Sequence, residues 1–270
     1  MAIITISRGS YSKGKEVAEG VAARLGYGCI SRDILLEASD QFNIPEIKLL
    51  HAIHDAPSIL NRFTHGSAAY IAYIQCALLE RVKGGNVVYH GLAGHMLLKE
   101  IGKVLKVRIL ADPDLRAAVV MEREQIGDKE AHRMIAKIDE ERRKWTRRLY
   151  GVDPWDPSLY DLVVCIDKIQ VEGAIRLICE AASQDAFRFV EEDRQKLADL
   201  ALSCKVKSEL LDLDHNVNVT SNYGNVLVFT KGDDRRVRKL ENRIATLAGR
   251  IEEIHNIEVH AGEPKISADA

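Results

Sequence analysis

The sequence has few features of a secreted, membrane-bound or nucleic-acid-binding protein. Its five cysteines are scattered among 270 residues without CxxC spacing, so neither a disulfide framework nor a zinc site is predicted. The net charge of −2 gives no overall basic field, and nucleic acid is therefore not an expected partner. No apolar run approaches the roughly 18 residues of a membrane helix, and the N-terminus starts with a strand-like run instead of a signal peptide. We expect a cytoplasmic protein that is not a membrane protein.

A glycine-containing loop near the start is the most informative feature that is present. Residues 3–7 are apolar and strand-like, and Gly9 is separated by four residues from Gly14-Lys15. This is the spacing of a P-loop, and the apolar periodicity of Val17, Val21 and Leu25 predicts the helix that follows such a loop. The predicted nucleotide-binding residues are Gly9, Ser10, Tyr11, Ser12, Lys13, Gly14, Lys15 and Glu16. The alternative is a strand-to-helix turn with a solvated Lys15.

The residue types in the loop suit phosphate binding. Glycines let consecutive N–H groups point at phosphate oxygens, and the start of the helix adds a partial positive charge. Lys15 would reach the transferring phosphoryl group. Glu16 stands where a Ser or Thr hydroxyl normally holds Mg²⁺, so a carboxylate there would act through water, and no direct metal ligand is predicted.

Strand-like and helical segments alternate through roughly residues 1–185. This order predicts an α/β domain with a parallel sheet flanked by helices, in which the ligand lies at the carboxyl ends of the strands. The main predicted strands are residues 3–7, 86–90, 104–111 and 162–166, and the main predicted helices are residues 68–83, 113–124, 129–148 and 171–182.

A second, smaller α+β domain is predicted at residues 205–262, after a helical linker at residues 186–204 and before a tail at residues 263–270. Alternating valines from Val217 to Val228 flank a turn at residues 221–225, which predicts a hairpin. The helix that follows carries an apolar stripe from Val237 to Ile254. That stripe either covers the small sheet or forms a coiled-coil seam.

A cluster of basic residues is the second feature that indicates phosphate chemistry. Arg123 ends one predicted helix, and Arg142, Arg143, Lys144, Arg147 and Arg148 crowd another. Guanidinium groups stabilise the charge of a transferring phosphoryl group when a lid closes over it. The alternative is a solvated helix in which Asp139, Glu140 and Glu141 pair with the basic side chains.

These motifs together resemble the cytidylate-kinase-like family. The resemblance rests on the strand and loop at residues 3–16, on residues 119–124 and 139–142, and on residues 150–162. It implies a nucleoside monophosphate kinase fold, with ATP on the loop, Mg²⁺, and an acceptor nucleotide under an arginine-bearing lid. It also implies that Lys15 steadies the β and γ phosphates, and that Arg123, Arg142 and Arg147 are catalytic lid or phosphate contacts.

The chain departs from the family pattern at two acceptor positions. Relatives carry a Gly-Arg pair after the central strand, whereas this chain has Gly91-Leu92, and a Tyr-Asp-Lys-Glu type run is replaced by Ser31-Arg32-Asp33. Losing a bidentate contact costs several kcal/mol unless another group replaces it. The residues predicted to contact the acceptor are therefore Arg32, Asp33, Arg62 and Gly91, with His90 and His95 as further substitutes.

The C-terminal segment resembles a BON domain through its order of one helix, a hairpin, a second helix and a final strand. This resemblance leaves open a small ligand or lipid at that domain, a regulatory role, and self-association. Two functions follow for the whole chain. The first is an ATP-dependent kinase acting on a small acceptor, and the second is a nucleotide-binding sensor that couples ATP occupancy to the C-terminal domain.

Overall fold

The computed structural model describes residues 2–31, Ile34, residues 66–91 and residues 93–262, and for residues 66–70 and Leu149 it describes the backbone. The chain divides into two compact units. The first unit contains Met1–Thr64 and Gly84–Phe189, and the second contains His65–Lys83 and Val190–Ala270. None of the helices in the described ranges is both long and apolar enough to cross a bilayer.

Eight helices are described. They are α1 Gly14–Leu25, α2 Gly66–Val82, α3 Gly94–Leu97, α4 Pro113–Glu124, α5 Asp128–Tyr150, α6 Val171–Ala182, α7 Glu191–Leu210 and α8 Asp234–Ala248. The bounds of α4 and α6 are those predicted from the sequence. The start of α4 has a local cause, because Pro113 occupies the first turn and the Asp112 side chain accepts hydrogen bonds from the N–H groups of Asp114 and Leu115.

A five-stranded parallel sheet forms the centre of the first unit. Its strands are β1 Ile3–Arg8, β2 Gly28–Ile30, β3 Val87–His90, β4 Val104–Ala111 and β5 Leu162–Ile166. They lie in the order β2-β3-β1-β4-β5, and every neighbouring pair is parallel. The predicted parallel sheet is confirmed, and β1 is its central strand. The loop after β1 therefore lies at the carboxyl edge of the sheet, where α/β folds bind ligands.

Apolar faces of two helices cover this sheet. Val17 and Val21 of α1, and Ile175 and Ile178 of α6, are buried in one core with the strand residues. Their spacing of three or four residues puts each pair on one side of its helix. Helices α4 and α5 pack against each other around a smaller core of Ala117, Val120, Ala131 and Ile135.

The second unit contains a three-stranded sheet. Its strands are β6 Asn218–Asn222, β7 Asn225–Thr230 and β8 Asn256–Ala261, with β6 antiparallel and β8 parallel to β7. The predicted hairpin is therefore present. Leu240, Ile244 and Leu247 of α8 are buried in the same core as Val226 and Val228, so the apolar stripe of this helix covers the sheet.

Two segments belong to the second unit in a way that the sequence pattern did not indicate. Helix α2, expected within the α/β domain, packs against α7 and is part of the second unit. Residues 191–210 form one continuous helix, which spans most of the segment predicted as a linker and the helix expected after it. The physical reason is that periodicity reveals the apolar side of a helix, such as Ile74 and Leu78 of α2, but not the surface that this side packs against.

The turn between β6 and β7 consists of two residues with positive φ. Tyr223 has φ 48° and Gly224 has φ 76°, the combination of a type I′ turn, which favours Asn-Gly. A tyrosine in this backbone region is strained. Its side chain is 61% exposed, so packing offers little compensation for the strain.

Tyr223→Asn is therefore expected to raise the free energy of unfolding by about 0.5–1 kcal/mol, because asparagine tolerates the left-handed region better than tyrosine does. Urea denaturation of the full chain would measure the gain. Tyr223→Ala is the control, since it removes the exposed ring without improving the turn. An equal gain in both variants would show that the ring, and not the backbone, carries the cost.

Candidate active site

The loop between β1 and α1 is held by hydrogen bonds within the loop and to strand β4. The Gly9 N–H donates to the Ile109 carbonyl at 3.0 Å, and the Ser12 hydroxyl donates to the Gly9 carbonyl at 2.9 Å. Tyr11 and Lys13 both have φ 57°, so the loop turns sharply before the helix. These bonds fasten the loop to the end of β4 and hold its backbone in a cradle.

A carboxylate and a guanidinium from two helices clamp the first part of the loop. Asp139 of α5 accepts hydrogen bonds from the Ser10 N–H at 3.1 Å and from the Ser10 hydroxyl at 2.7 Å. Arg116 of α4 donates to the Ser10 carbonyl at 2.7 Å and to Asp139 at 2.5 Å. The Arg116 and Asp139 side chains are only 13% and 17% exposed. The clamp thus ties the α4–α5 pair to the loop through ionised groups.

The N-terminus of α1 is open to an anion. Lys13 precedes the helix in a left-handed conformation, and no side chain caps the helix there. The first N–H groups of a helix have no intrahelical acceptors and carry a partial positive charge. Lys15 is 65% exposed, with its Nζ atom 3.6 Å from Glu19. Because exposed pairs of this kind contribute little, Lys15 can leave Glu19 for a phosphate at small cost. Glu16 lies exposed in the same turn.

A cleft that includes four arginines in its lining lies beside the loop. Its described lining includes Arg8, Gly9, Gly91, Arg108 and Arg142, together with Arg143, Asp139 and Trp155. Gly9, Gly91 and Arg142, which the sequence analysis selected separately, are thus brought together at one site. With four arginines and one acidic side chain among these residues, the cleft attracts anions.

Two arginines of α5 are held by one carboxylate. Asp153 accepts hydrogen bonds from Arg143, at 2.6 Å for its closest atoms, and from Arg147 at 2.5 Å. The Arg143 guanidinium also lies 4.0 Å from the centre of the Trp155 ring. These hydrogen bonds, from Arg143 first, keep the pKa of Asp153 well below its usual range. Arg147 lies at the exposed edge of this group and is not among the lining residues of the cleft.

Of the remaining predicted residues, His95 also lines the cleft, whereas Arg123 does not. Arg123 is exposed at the end of α4 and pairs with Glu124 at 3.3 Å. Arg32, Asp33 and Arg62 lie outside the described residues. Among the residues that are described, no group of three or more His, Cys, Asp and Glu side chains could hold a metal ion.

His95 lies at the centre of a buried hydrogen-bond network in the lining of the cleft. Tyr160 donates its hydroxyl hydrogen to the Pro154 carbonyl at 2.9 Å and accepts from Arg108 at 3.1 Å. His95 Nε2 lies 3.3 Å from the Tyr160 oxygen, and His95 Nδ1 lies 2.8 Å from the Ser7 hydroxyl. His95 therefore donates from Nε2 and accepts at Nδ1. The network joins the ends of β1 and β4 to α3 and to the segment after α5.

Burial, followed by the positive charges of Arg108 and Lys106, lowers the pKa of His95 to about 4. An unfolded histidine binds its proton near pH 6.5. The neutral His95 thus contributes stability that is complete above pH 6.5 and is lost as the pH falls toward 4. The expected loss across this range is roughly 3 kcal/mol.

Urea denaturation between pH 7.5 and pH 4.5 would test this dependence by comparing the native chain with His95→Gln, which keeps a donor toward Tyr160 but does not titrate. The difference in stability between the two proteins should shrink or change sign as the pH falls. Parallel stability curves would contradict the lowered pKa.

Sequence reasoning missed several residues of this site. Apart from its place in the family motif, Asp139 is predicted only as a solvated partner for basic residues of its own helix, and the sequence assigns no site role to Arg8, Arg108 or Arg116. Asp139 lies 129 positions from Ser10, and no spacing rule reports such a pair. For Arg8 the sequence did contain a signal, because its position directly before the loop places it beside the predicted phosphate site.

A glycine-lysine loop after the central strand of a parallel sheet in this order, with a cationic cleft beside it, defines a P-loop kinase fold. The sequence model of the cytidylate kinase-like family matches residues 3–168, which is more than half of the chain. The protein therefore belongs to the cytidylate kinase-like family.

Individual relatives match a shorter region. Cytidylate kinase of Pyrobaculum arsenaticum is 32% identical over 104 residues, covering 38% of this chain and 56% of that protein. Cytidylate kinase of Pyrococcus horikoshii is 35% identical over 100 residues, covering 37% and 51%. The chain thus spans just over half of the length of these curated relatives. A solved structure of an uncharacterized protein from Eubacterium ventriosum has a TM-score of 0.49 at 22% identity, and the match covers 67% of this chain and 97% of that one.

Proposed function

We propose that this protein is an ATP-dependent kinase that transfers the γ-phosphoryl group of ATP to a small acceptor of the nucleoside monophosphate class. The observation that carries the proposal is the uncapped N-terminus of α1 beside a cleft lined by Arg8, Arg108, Arg142 and Arg143. Family membership supports the same chemistry. The ATP dependence of the reaction also supports a cytoplasmic location.

In this proposal the residues act by positioning and electrostatics. The loop N–H groups and Lys15 hold the donor phosphates, and Arg142 stabilises charge on the transferring group, as phosphoryl transfer requires. Arg143 and Arg147 are the lid arginines, which Asp153 holds in place. Arg123, at the far end of α4, has this role only if the α4–α5 pair moves.

Mg²⁺ is compatible with the loop although no ligand cluster is described there. Proteins usually bind this ion through one or two carboxylates, water and the substrate phosphates. Glu16 is the exposed carboxylate in the first turn of α1. It would hold the ion through water, and the ion would neutralise charge on the donor phosphates.

The proposal is tested by measuring ADP release from ATP and Mg²⁺ with a panel of acceptors. The panel contains nucleoside monophosphates and two non-nucleotide acceptors, shikimate and gluconate. Turnover that depends on one nucleoside monophosphate is the expected result and would identify the acceptor. Turnover on a non-nucleotide acceptor would support a kinase function and contradict a nucleotide acceptor. Binding of ATP without turnover on any acceptor would favour a second candidate, a nucleotide sensor, which Glu16 supports because it replaces the hydroxyl that normally holds Mg²⁺.

We further propose that the second unit is a BON-like module that senses a small ligand or lipid. Its α7-β6-β7-α8-β8 order supports this, as does a cleft of about 300 Å³ that Lys83, Lys205, Tyr223 and Glu253 help to line. Lipid binding is tested by co-sedimentation of the full chain with vesicles of phosphatidylcholine, with and without phosphatidylglycerol. Sedimentation velocity of the same samples would show whether the unit mediates self-association.

A further inference from the structure

Arg8 is the last residue of β1 and immediately precedes the loop. Its aliphatic stem crosses the start of α1, because a Cβ atom added to Gly14 would lie 2.7 Å from both Cβ and Cδ of Arg8. This contact requires glycine at position 14 and also directs the Arg8 side chain across the loop. The side chain is half-buried and lines the cleft together with Gly91 and Arg142.

Arg8 differs from most arginines of the cleft in having no described partner. Arg108 donates to Pro154, and Arg143 pairs with Asp153. Within the described residues, by contrast, the Arg8 guanidinium has no hydrogen bond or ion pair, and no carboxylate lies within ion-pair distance of Arg142. The oxygens of Asp139, the acidic residue nearest to them in the cleft, are bonded to Ser10 and Arg116.

Two such guanidinium groups in one cleft are unfavourable without an anion. Burial lowers the pKa of Arg8, and the positive charge of Arg142 lowers it further. Burial also lowers the pKa of Arg142, although the negative charge of Asp139 offsets part of this effect. Removing a cation from water without a counter-charge costs free energy, whereas planar guanidinium groups bind phosphate oxygens in pairs. An oxyanion bound between the two guanidinium groups would replace their mutual repulsion with attraction to its negative charge.

We propose that Arg8 and Arg142 form an oxyanion subsite, separate from the P-loop, that takes the phosphate monoester of the acceptor. The assignment of that phosphate to an acceptor rests on the proposed function, whereas the subsite itself does not. Arg8 is then the residue that restricts the cleft to acidic acceptors. The loop N–H groups and Lys15 remain for the donor phosphates, so that two anions lie on either side of Arg142.

The test uses inorganic phosphate as the probe and the full chain saturated with ADP, so that the P-loop is already filled. Calorimetry would compare the native protein with Arg8→Met, which keeps the stem over Gly14 but removes the guanidinium group. Arg8→Lys keeps the charge without the planar fork, and Arg176→Met is the control because Arg176 is exposed on α6 outside the cleft. The same titrations on a Lys15→Ala background exclude binding at the loop.

Arg8→Met is expected to weaken phosphate binding by about 10- to 100-fold, with Arg8→Lys intermediate and Arg176→Met unchanged. ADP affinity should stay within about threefold of the native value in Arg8→Met, Arg8→Lys and Arg176→Met, since neither Arg8 nor Arg176 is assigned to the donor. Without ligand, Arg8→Met should melt at a temperature higher by about 2 °C, because an unpaired charge has been removed. If Arg8 were instead held by a structural ion pair, Arg8→Met would lower the melting temperature.

Equal phosphate affinity in the native protein and Arg8→Met would overturn the proposal, as would a lower melting temperature of unliganded Arg8→Met. Failure of the native protein to bind millimolar phosphate would also overturn it. These outcomes are separable from a failure of the proposed function. If the native protein turned over no acceptor but Arg8→Met still weakened phosphate binding, the subsite would be supported and the kinase function would be contradicted.

Discussion

Lys15→Ala is expected to lower kcat/KM for ATP by about 100- to 1,000-fold. Lys15 is the cationic side chain at the open N-terminus of α1, and its exposed pair with Glu19 does not hold it in place. Without it, charge that develops on the β and γ phosphates has only backbone N–H groups and the cleft arginines opposite it. ADP release and calorimetric ATP binding would measure the effect.

The matched control is Lys137→Ala, because Lys137 is an exposed lysine of the same unit and does not line the cleft. It should leave ATP affinity and turnover unchanged. Circular dichroism should show that both variants keep the native fold, since neither side chain is buried. Unchanged ATP affinity in Lys15→Ala would refute the P-loop assignment itself.

Asp139→Ala is expected to lower the free energy of unfolding by roughly 2–4 kcal/mol and also to weaken ATP binding. The substitution leaves Arg116 without its carboxylate in a largely buried place, and it removes two hydrogen bonds from Ser10. The stability loss follows from the unpaired guanidinium group. The binding loss follows from a loop that is no longer fastened to α5. Urea denaturation and calorimetry would report the two effects separately.

Glu141→Ala is the control for Asp139→Ala, because Glu141 is exposed on the same helix. Its stability should change by no more than about 0.5 kcal/mol. Adding Arg116→Met to Asp139→Ala should recover part of the lost stability, since the unpaired charge is then absent. Additive losses in the double variant would mean that the ion pair seen in the structure contributes no coupling.

Local features of the sequence were sufficient to predict much of the α/β unit. β4, β5, α4 and α6 have the predicted bounds, because each combines a clear apolar period with turn residues at both ends. The short strand β2 was not predicted. It has three residues, two of them exposed, which is too little for a periodic signal.

The candidate site was predicted less completely than the fold. The loop from Gly9 to Glu16 has a spacing that sequence alone reveals, and Gly9, Gly91 and Arg142, which come from separate sequence patterns, line one cleft in the structure. His95, expected as a substitute contact for the acceptor, lines the cleft and also hydrogen-bonds with Ser7 and Tyr160. The order of residues along the chain does not report which nitrogen of a histidine faces a neighbour 65 positions away.

The sequence by itself determined the parts of this protein that depend on neighbouring residues. These are the strand, loop and helix that start the first unit, the periodic helices, the hairpin of the second unit, and membership of a kinase-like family. The tertiary structure alone decided which distant charges meet. Asp139 clamps Ser10, Asp153 holds Arg143 and Arg147, and Arg8 and Arg142 line one cleft, with no hydrogen bond or ion pair described for either guanidinium group. The physical reason is that pairing between distant charges depends on distance and burial in space, and chain periodicity encodes neither across separate elements.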